Sequence, residues 1–209
     1  MKKITTASAR PAPGLARPGK TLKHEVRIIG GQWKRTRLAV LDKPGLRPTP
    51  DRVRETLFNW LGQDLTGWRC IDAFAGTGAL GFEAASRGAQ EVLLVEQDSA
   101  LVLQLKRIQT QLQASTTQVV RGDAIAALKQ LAASSMDLVL LDPPFDSALF
   151  EVALASASQA LAADGFIYLE APLEWADPDL VDAGLKVLRR LKAGSVYAHL
   201  LIRLGQGVA

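Results

Sequence analysis

The sequence has one cysteine, Cys70, and two histidines, His24 and His199, among its 209 residues. A lone cysteine leaves no internal disulfide framework and is usual in a reducing compartment. Neither histidine stands in a partner pattern, so no catalytic triad and no metal site are expected, and both are read as structural. Aromatic residues are few, at 6%. The four tryptophans, Trp33, Trp60, Trp68 and Trp175, are read as core or hinge packing. No apolar run approaches the ~20 residues that cross a bilayer. Lys2 and Lys3 precede no apolar stretch, so no secretory signal is expected. These absences point to a cytoplasmic protein with no membrane or metal partner.

What is present is an ordinary globular balance, 48% hydrophobic and 22% charged, enough for one good core and a small appendage. The net charge of +4 hides a segregation. Residues 1–54 carry 14 Lys or Arg against the acids Glu25, Asp42 and Asp51, a local excess of +11, which leaves −7 behind. A basic front on an acidic body fits a polyanion-binding arm. A solvated tail is the alternative for the Pro-, Gly-, Ser- and Ala-rich first 23 residues.

Patterning divides the chain into a basic, disordered tail over 1–25, a hairpin and helix over 26–64, and a catalytic domain over 65–209. Two short strands flank Gly30-Gly31. Thr49 is a candidate N-cap, Pro50 the first helical residue, and Val53, Leu57, Trp60 and Leu61 mark an amphipathic helix over 50–62. Strands then alternate with helices: strands over 69–74, 91–96, 117–121, 136–142 and 165–170, helices over 78–87, 99–113, 124–133 and 148–162. Segments 185–191 and 196–204 are joined by four residues, too few for a parallel crossover, so they pair antiparallel. The fold class is α/β, a mostly parallel, doubly wound sheet ending in an antiparallel hairpin, with a small N-terminal β-hairpin extension.

The most informative stretch is Asp142-Pro143-Pro144-Phe145, at the end of an apolar strand. It offers a carboxylate, the Pro143 carbonyl and the Phe145 ring around one small space. That set can hold a planar exocyclic amine and stack its base. Upstream, Gly76-x-Gly78-x-x-Gly81 follows the first domain strand, and Glu96 ends the second. Glycines allow close backbone approach, and such a carboxylate takes ribose hydroxyls. The loop alone is ambiguous between NAD(P) and S-adenosylmethionine. Asp72 favours the latter, since a carboxylate suits an ammonium and not a pyrophosphate. Asp123 adds an acceptor for an adenine amine. Helix capping is the plainer reading of both acids. Candidate cofactor contacts are Asp72, Phe74, Gly76, Gly78, Glu96, Asp123 and Ala124.

Arg27–Gly31, Gly45–Thr49, Asp51–Asn59, Asp72–Gly81 and Asp142–Phe145 together resemble the bacterial 16S ribosomal RNA guanine-N2 methyltransferases of the RsmD family. The likeness runs from about Val26 to the C-terminal strands. It implies a Rossmann-like class I methyltransferase, S-adenosylmethionine as cofactor, and one guanine of 16S rRNA in the assembled small subunit as substrate. Glu96 would then bind the ribose and Asp123 the adenine. Asp142, Pro143 and Phe145 would hold the guanine as the catalytic set. Arg27, Lys34, Arg35, Arg37, Arg47 and Arg52 are the candidate RNA contacts, and a monomer is expected. Alternatives are an adenine-N6 methyltransferase on DNA or RNA, which shares the Asp-Pro-Pro-aromatic loop, an NAD(P) oxidoreductase, and a non-catalytic ribosome-assembly factor.

Overall fold

The computed structural model describes residues 25–46, 48–145 and 148–207. Arg47, His24 and the 1–24 segment lie outside them. Strands β1 (Glu25–Arg27) and β2 (Arg37–Ala39) pair antiparallel as the expected hairpin. Helix α1 (Asp51–Trp60) follows. The main sheet and its helices come next: β3 (Arg69–Asp72), α2 (Ala79–Ser86), β4 (Glu91–Glu96), α3 (Ser99–Leu112), β5 (Thr117–Arg121), α4 (Ala124–Gln130), β6 (Met136–Leu141), α5 (Phe150–Ala160) and β7 (Leu161–Ala171). A short helix α6 (Asp177–Leu180) and a 3-10 turn precede β8 (Leu185–Ala193) and β9 (Val196–Arg203).

The seven-stranded sheet has the order β5-β4-β3-β6-β7-β9-β8. Pairs from β5 through β7 are parallel, and β9 runs antiparallel between β7 and β8. The chain moves outward through β3, β4 and β5, then returns to place β6 on the other side of β3. That reversal opens a crevice beyond the ends of β3 and β6, where open α/β sheets bind ligands.

Both faces of the sheet are covered. Leu94, Leu138, Leu140, Tyr168 and Leu200 meet α1, α2 and α3 on one face, and Ile28 and Leu38 of the hairpin region share that core. Ile71, Val139, Leu141, Ile167 and Leu201 meet α4 and α5 on the other. An unbroken apolar run such as that over 138–141 is what a strand buried on two faces requires. Asp98 caps α3, accepting from the Ala100 and Leu101 N–H groups. Trp68 stacks on Phe166 at 5.8 Å between ring centroids, and Trp33 and Trp60 also pack on this core.

Two local expectations need correction. Thr49 does not cap α1; Pro50 occupies that position without a side-chain cap, and its carbonyl accepts from the Val53 and Arg54 N–H groups. The Thr49 hydroxyl is instead drawn to a buried carboxylate, Glu170 Oε1, at 2.7 Å. Strand β7 also starts at Leu161 rather than 165, because the ladder shifts register there: β7 runs from Leu161 to Phe166 while β6 runs only from Met136 to Leu138.

The hairpin, α1 and α2 are tied by Glu83, a fully buried carboxylate on α2. It accepts from the Ile29 and Gly30 N–H groups at 2.8 and 2.7 Å, from Arg54 Nη1 at 3.2 Å and from Arg87 Nε at 2.9 Å. Glu83→Ala would strand two buried guanidinium groups. The expected loss is about 3–5 kcal/mol of unfolding free energy, read by urea denaturation; a loss below ~1 kcal/mol would show the cluster to be dispensable.

Candidate active site

Asp72 ends β3 and is buried, with Oδ2 accepting from the Gly81 N–H in the first turn of α2 at 2.9 Å. Helix capping, the plainer reading, therefore describes its visible contact. Between Asp72 and α2 the chain makes a tight glycine loop. Gly78 has φ +76°, and a Cβ there would sit 2.6 Å from Leu105 and 2.7 Å from Phe82, so both conformation and space require glycine.

Glu96 ends β4 beside this loop. Its Oε2 accepts from the Gly76 N–H at 2.9 Å and its Oε1 from the Asp98 N–H at 2.8 Å. Those backbone donors are the polar partners that a strand-end acid requires. Each oxygen keeps a lone pair for a further donor. Asp123 follows the end of β5, where Oδ1 accepts from the Ala126 N–H at 2.8 Å and caps α4. Space next to the backbone is open at Gly122, where an added Cβ would meet nothing within 4 Å.

Asp142 follows β6 across the crevice from Asp72 and is only partly covered. Among the described residues none donates a hydrogen bond to its carboxylate and none forms an ion pair with it. Pro143 is buried, and Phe145 stands 40% exposed on the lip of the loop. Burial first, then the negative charges of Glu170 and Asp72, push the Asp142 carboxyl well above the usual carboxylate range.

Glu170 is a site residue that the sequence reading left unassigned. It lies near the end of β7, buried, accepting from Thr49 Oγ1 at 2.7 Å and Tyr168 Oη at 2.9 Å. The signal was the one that marked Glu96, an acid closing an otherwise apolar strand. Among the described residues no group of three or more His, Cys, Asp and Glu side chains is arranged to hold a metal ion.

The family described as "Conserved hypothetical protein 95" matches residues 26–202. The chain is 41% identical over 195 residues to the Escherichia coli protein named ribosomal RNA small subunit methyltransferase D, covering 92% of this chain and 98% of that one. It is 42% identical over 175 residues to the Haemophilus influenzae protein of the same name, at 81% and 84% coverage. This chain belongs to the RsmD family. A solved Escherichia coli structure described as a putative methyltransferase superposes with a TM-score of 0.75 at 40% identity, covering 88% of this chain and all of that one. The sheet order and these RsmD-like neighbours identify a Rossmann-like class I methyltransferase fold.

Among the described residues of this RsmD-family chain, the basic side chains of the front segment are spread over the hairpin and α1. Arg27 pairs with Asp51 at 2.9 Å and Arg37 with Glu25 at 3.0 Å, both on the surface. Arg52 is exposed on α1. Lys34 and Arg35 lie in the hairpin loop, whose Gln32 and Trp33 N–H groups bond to Ser86 at the far end of α2. Eight residues of helix separate that end from the glycine loop, about 12 Å of rise. Lys34 also lines a polar cavity of about 340 Å³ with Asn59, Gln63 and Arg87.

Asp72 carries a testable pH dependence. Burial above all pushes its carboxyl up to about 7, with the Gly81 N–H opposing and Glu96 and Glu170 adding to the rise. A carboxyl raised from 3.8 in this way stabilises the fold while protonated, and that contribution disappears as pH climbs toward 7. Asp72→Asn keeps an acceptor for Gly81 and cannot ionise. Its stability relative to the parent should climb by up to ~4 kcal/mol between pH 4 and pH 8. Paired denaturant titrations across that range check this, and a flat difference would contradict it.

Proposed function

We propose that this protein methylates the exocyclic N2 of a guanine in small-subunit ribosomal RNA, with S-adenosylmethionine as methyl donor and the assembled subunit in the cytoplasm as substrate. The observation that carries the reading is Asp142: a carboxylate at the crevice, beside a glycine loop, with hydrogen-bonding capacity that nothing described in the protein uses. The relatives named small subunit methyltransferase D support the RNA class.

The residues fit the cofactor. Glu96 has a lone pair on each oxygen for a ribose diol, Gly76 and Gly78 keep side chains out of the loop, and Asp123 Oδ2 accepts no hydrogen bond from the described residues. Phe74 and Ala124 flank these positions. When bound, the cofactor supplies an electrophilic methyl on a sulfonium and leaves as a neutral thioether. Asp142 and the Pro143 carbonyl accept the two N–H bonds of the amine and turn its lone pair toward the methyl. As the N–C bond forms, one N–H proton passes to Asp142 and from there to water. Phe145 stacks the base, worth roughly 1–3 kcal/mol.

Asp142→Ala should lose at least ~100-fold in methyl transfer while cofactor affinity, read by calorimetry, stays within about twofold. Labelled methyl transfer to undermethylated small subunits and to naked 16S rRNA, with nucleosides resolved by mass spectrometry, should yield N2-methylguanosine mainly in the particle. N6-methyladenosine would replace the substrate assignment. A folded Asp142→Ala enzyme with full turnover would remove Asp142 from the chemistry.

The basic front supplies a separate expectation. Joint replacement of Lys34, Arg35 and Arg37 by Ala should weaken RNA binding. The slope of log affinity against log salt should fall by about two to three, near one for each phosphate no longer neutralised. An unchanged slope would take these residues out of the interface.

A further inference from the structure

Strands β6 and β7 are parallel, and their last ladder pair is Leu141 with Leu169. One step further puts Asp142 beside Glu170. Strand alternation gives Asp142 the same face as Leu140, and Glu170 the same face as Tyr168, which pairs with Leu140. The two carboxylates therefore stand next to each other on one face of the sheet. Their surroundings differ. Glu170 is fixed by two hydroxyl donors, Thr49 Oγ1 at 2.7 Å and Tyr168 Oη at 2.9 Å, whereas Asp142 has no donor among the described residues. Thr49 is itself held from behind, because its carbonyl accepts from Arg54 Nε at 3.2 Å.

We infer that Glu170 is a positioning residue that acts through Asp142, as the anchored anionic neighbour on which Asp142 depends to take up the proton released by the methylated amine. The inference rests on the proposed reading of Asp142 as amine acceptor and adds a residue to it. Its physical basis is simple. Burial raises the Glu170 carboxyl above its ordinary range, and the two hydroxyl donors oppose that rise by favouring the ionised form. A fixed negative charge alongside then makes protonated Asp142 more stable than it would be alone. The other charges facing Asp142 are few: Asp72 on β3 adds in the same sense, Glu96 lies beyond Asp72, and Tyr168 on β7 is held neutral by burial and by Glu170. No described cation pairs with Asp142 or Glu170. Thr49 makes the arrangement sensitive to the N-terminal unit, since the segment leading into α1 supplies half of the donors.

The test reads Asp142 directly, in protein carrying carboxyl-labelled aspartate, by NMR titration; loss of the signal in Asp142→Asn assigns it. Glu170→Gln keeps an acceptor for both hydroxyls and removes the charge, so the Asp142 midpoint should fall by about one pH unit or more. Thr49→Val removes one donor from Glu170 and draws the proton toward it, so the Asp142 midpoint should again fall. On small subunits, the acid limb of the kcat profile should shift in step for Glu170→Gln, and kcat above the limb should drop about tenfold with the KM for cofactor unchanged. A purely structural role would change melting temperature or KM and leave the midpoint alone. Midpoints equal to the parent's in both variants overturn the inference. The titration needs no RNA, so a wrong substrate would appear as a failure of methyl transfer and not as a failure of this coupling.

Discussion

A carboxylate buried on an inner helix organises the N-terminal half of the molecule. Glu83 is fully covered, and burying an isolated charge would cost several kcal/mol. It is made tolerable by two guanidinium groups and two backbone N–H donors that come from different parts of the chain. Each donor group is constrained in turn. Arg87 occupies the space that a Cβ at Gly30 would need, only 2.3 Å away, and its guanidinium lies 4.6 Å over the Phe58 ring. Arg54 also donates to the Arg27 carbonyl, the Thr49 carbonyl and Asp51. Satisfying one buried acid thus places the hairpin, α1 and the segment containing Thr49 together. Thr49 then reaches Glu170. A continuous run of polar contacts connects the basic front of the chain to the crevice.

The order of strands and helices was legible because each element obeys a local rule. Strands buried on two faces carry unbroken apolar runs such as that over 138–141, and both Glu91–Glu96 and the edge strand Thr117–Arg121 have the bounds expected of them. Glycine at positive φ opens α2, and Gly88, also at positive φ, follows its end. Asp142, Asp72 and Glu96 were legible because each is an acid at the end of an apolar strand. What was not legible depends on pairing across the chain. Thr49 looks like a helix cap in its own neighbourhood and becomes a carboxylate ligand only when β7 comes beside it, 121 residues later. Glu170 carried the same signal as Glu96 but lacked a glycine loop next to it in sequence. The short helix α6 has too few residues to show a periodicity.

Charge segregation along the chain corresponds to a difference in surroundings. Arg27 and Arg37 of the front are paired on the surface, where each is worth little alone but adds to a field that a polyanion feels. The acids of the body include a set, Asp72, Asp142 and Glu170, gathered at the ends of β3, β6 and β7. Three carboxylates so close cannot all be ionised without cost; burial raises all three, and the donors given to each oppose that rise. Glu170 has two hydroxyls, Asp72 one backbone N–H, and Asp142 none among the described residues.

Asp142 is also the acid of the three that is open to the crevice. On the reading proposed above, the donors it lacks are the two N–H bonds of the incoming amine. Before the amine arrives, Asp142 is the group most inclined to hold a proton. An amine that seats against it supplies the hydrogen bonds that stabilise the carboxylate, so ionisation and substrate binding favour each other. The base is thus formed by the arrival of its own substrate. An isosteric carbonyl would instead accept the proton that Asp142 holds, and would leave the base unformed.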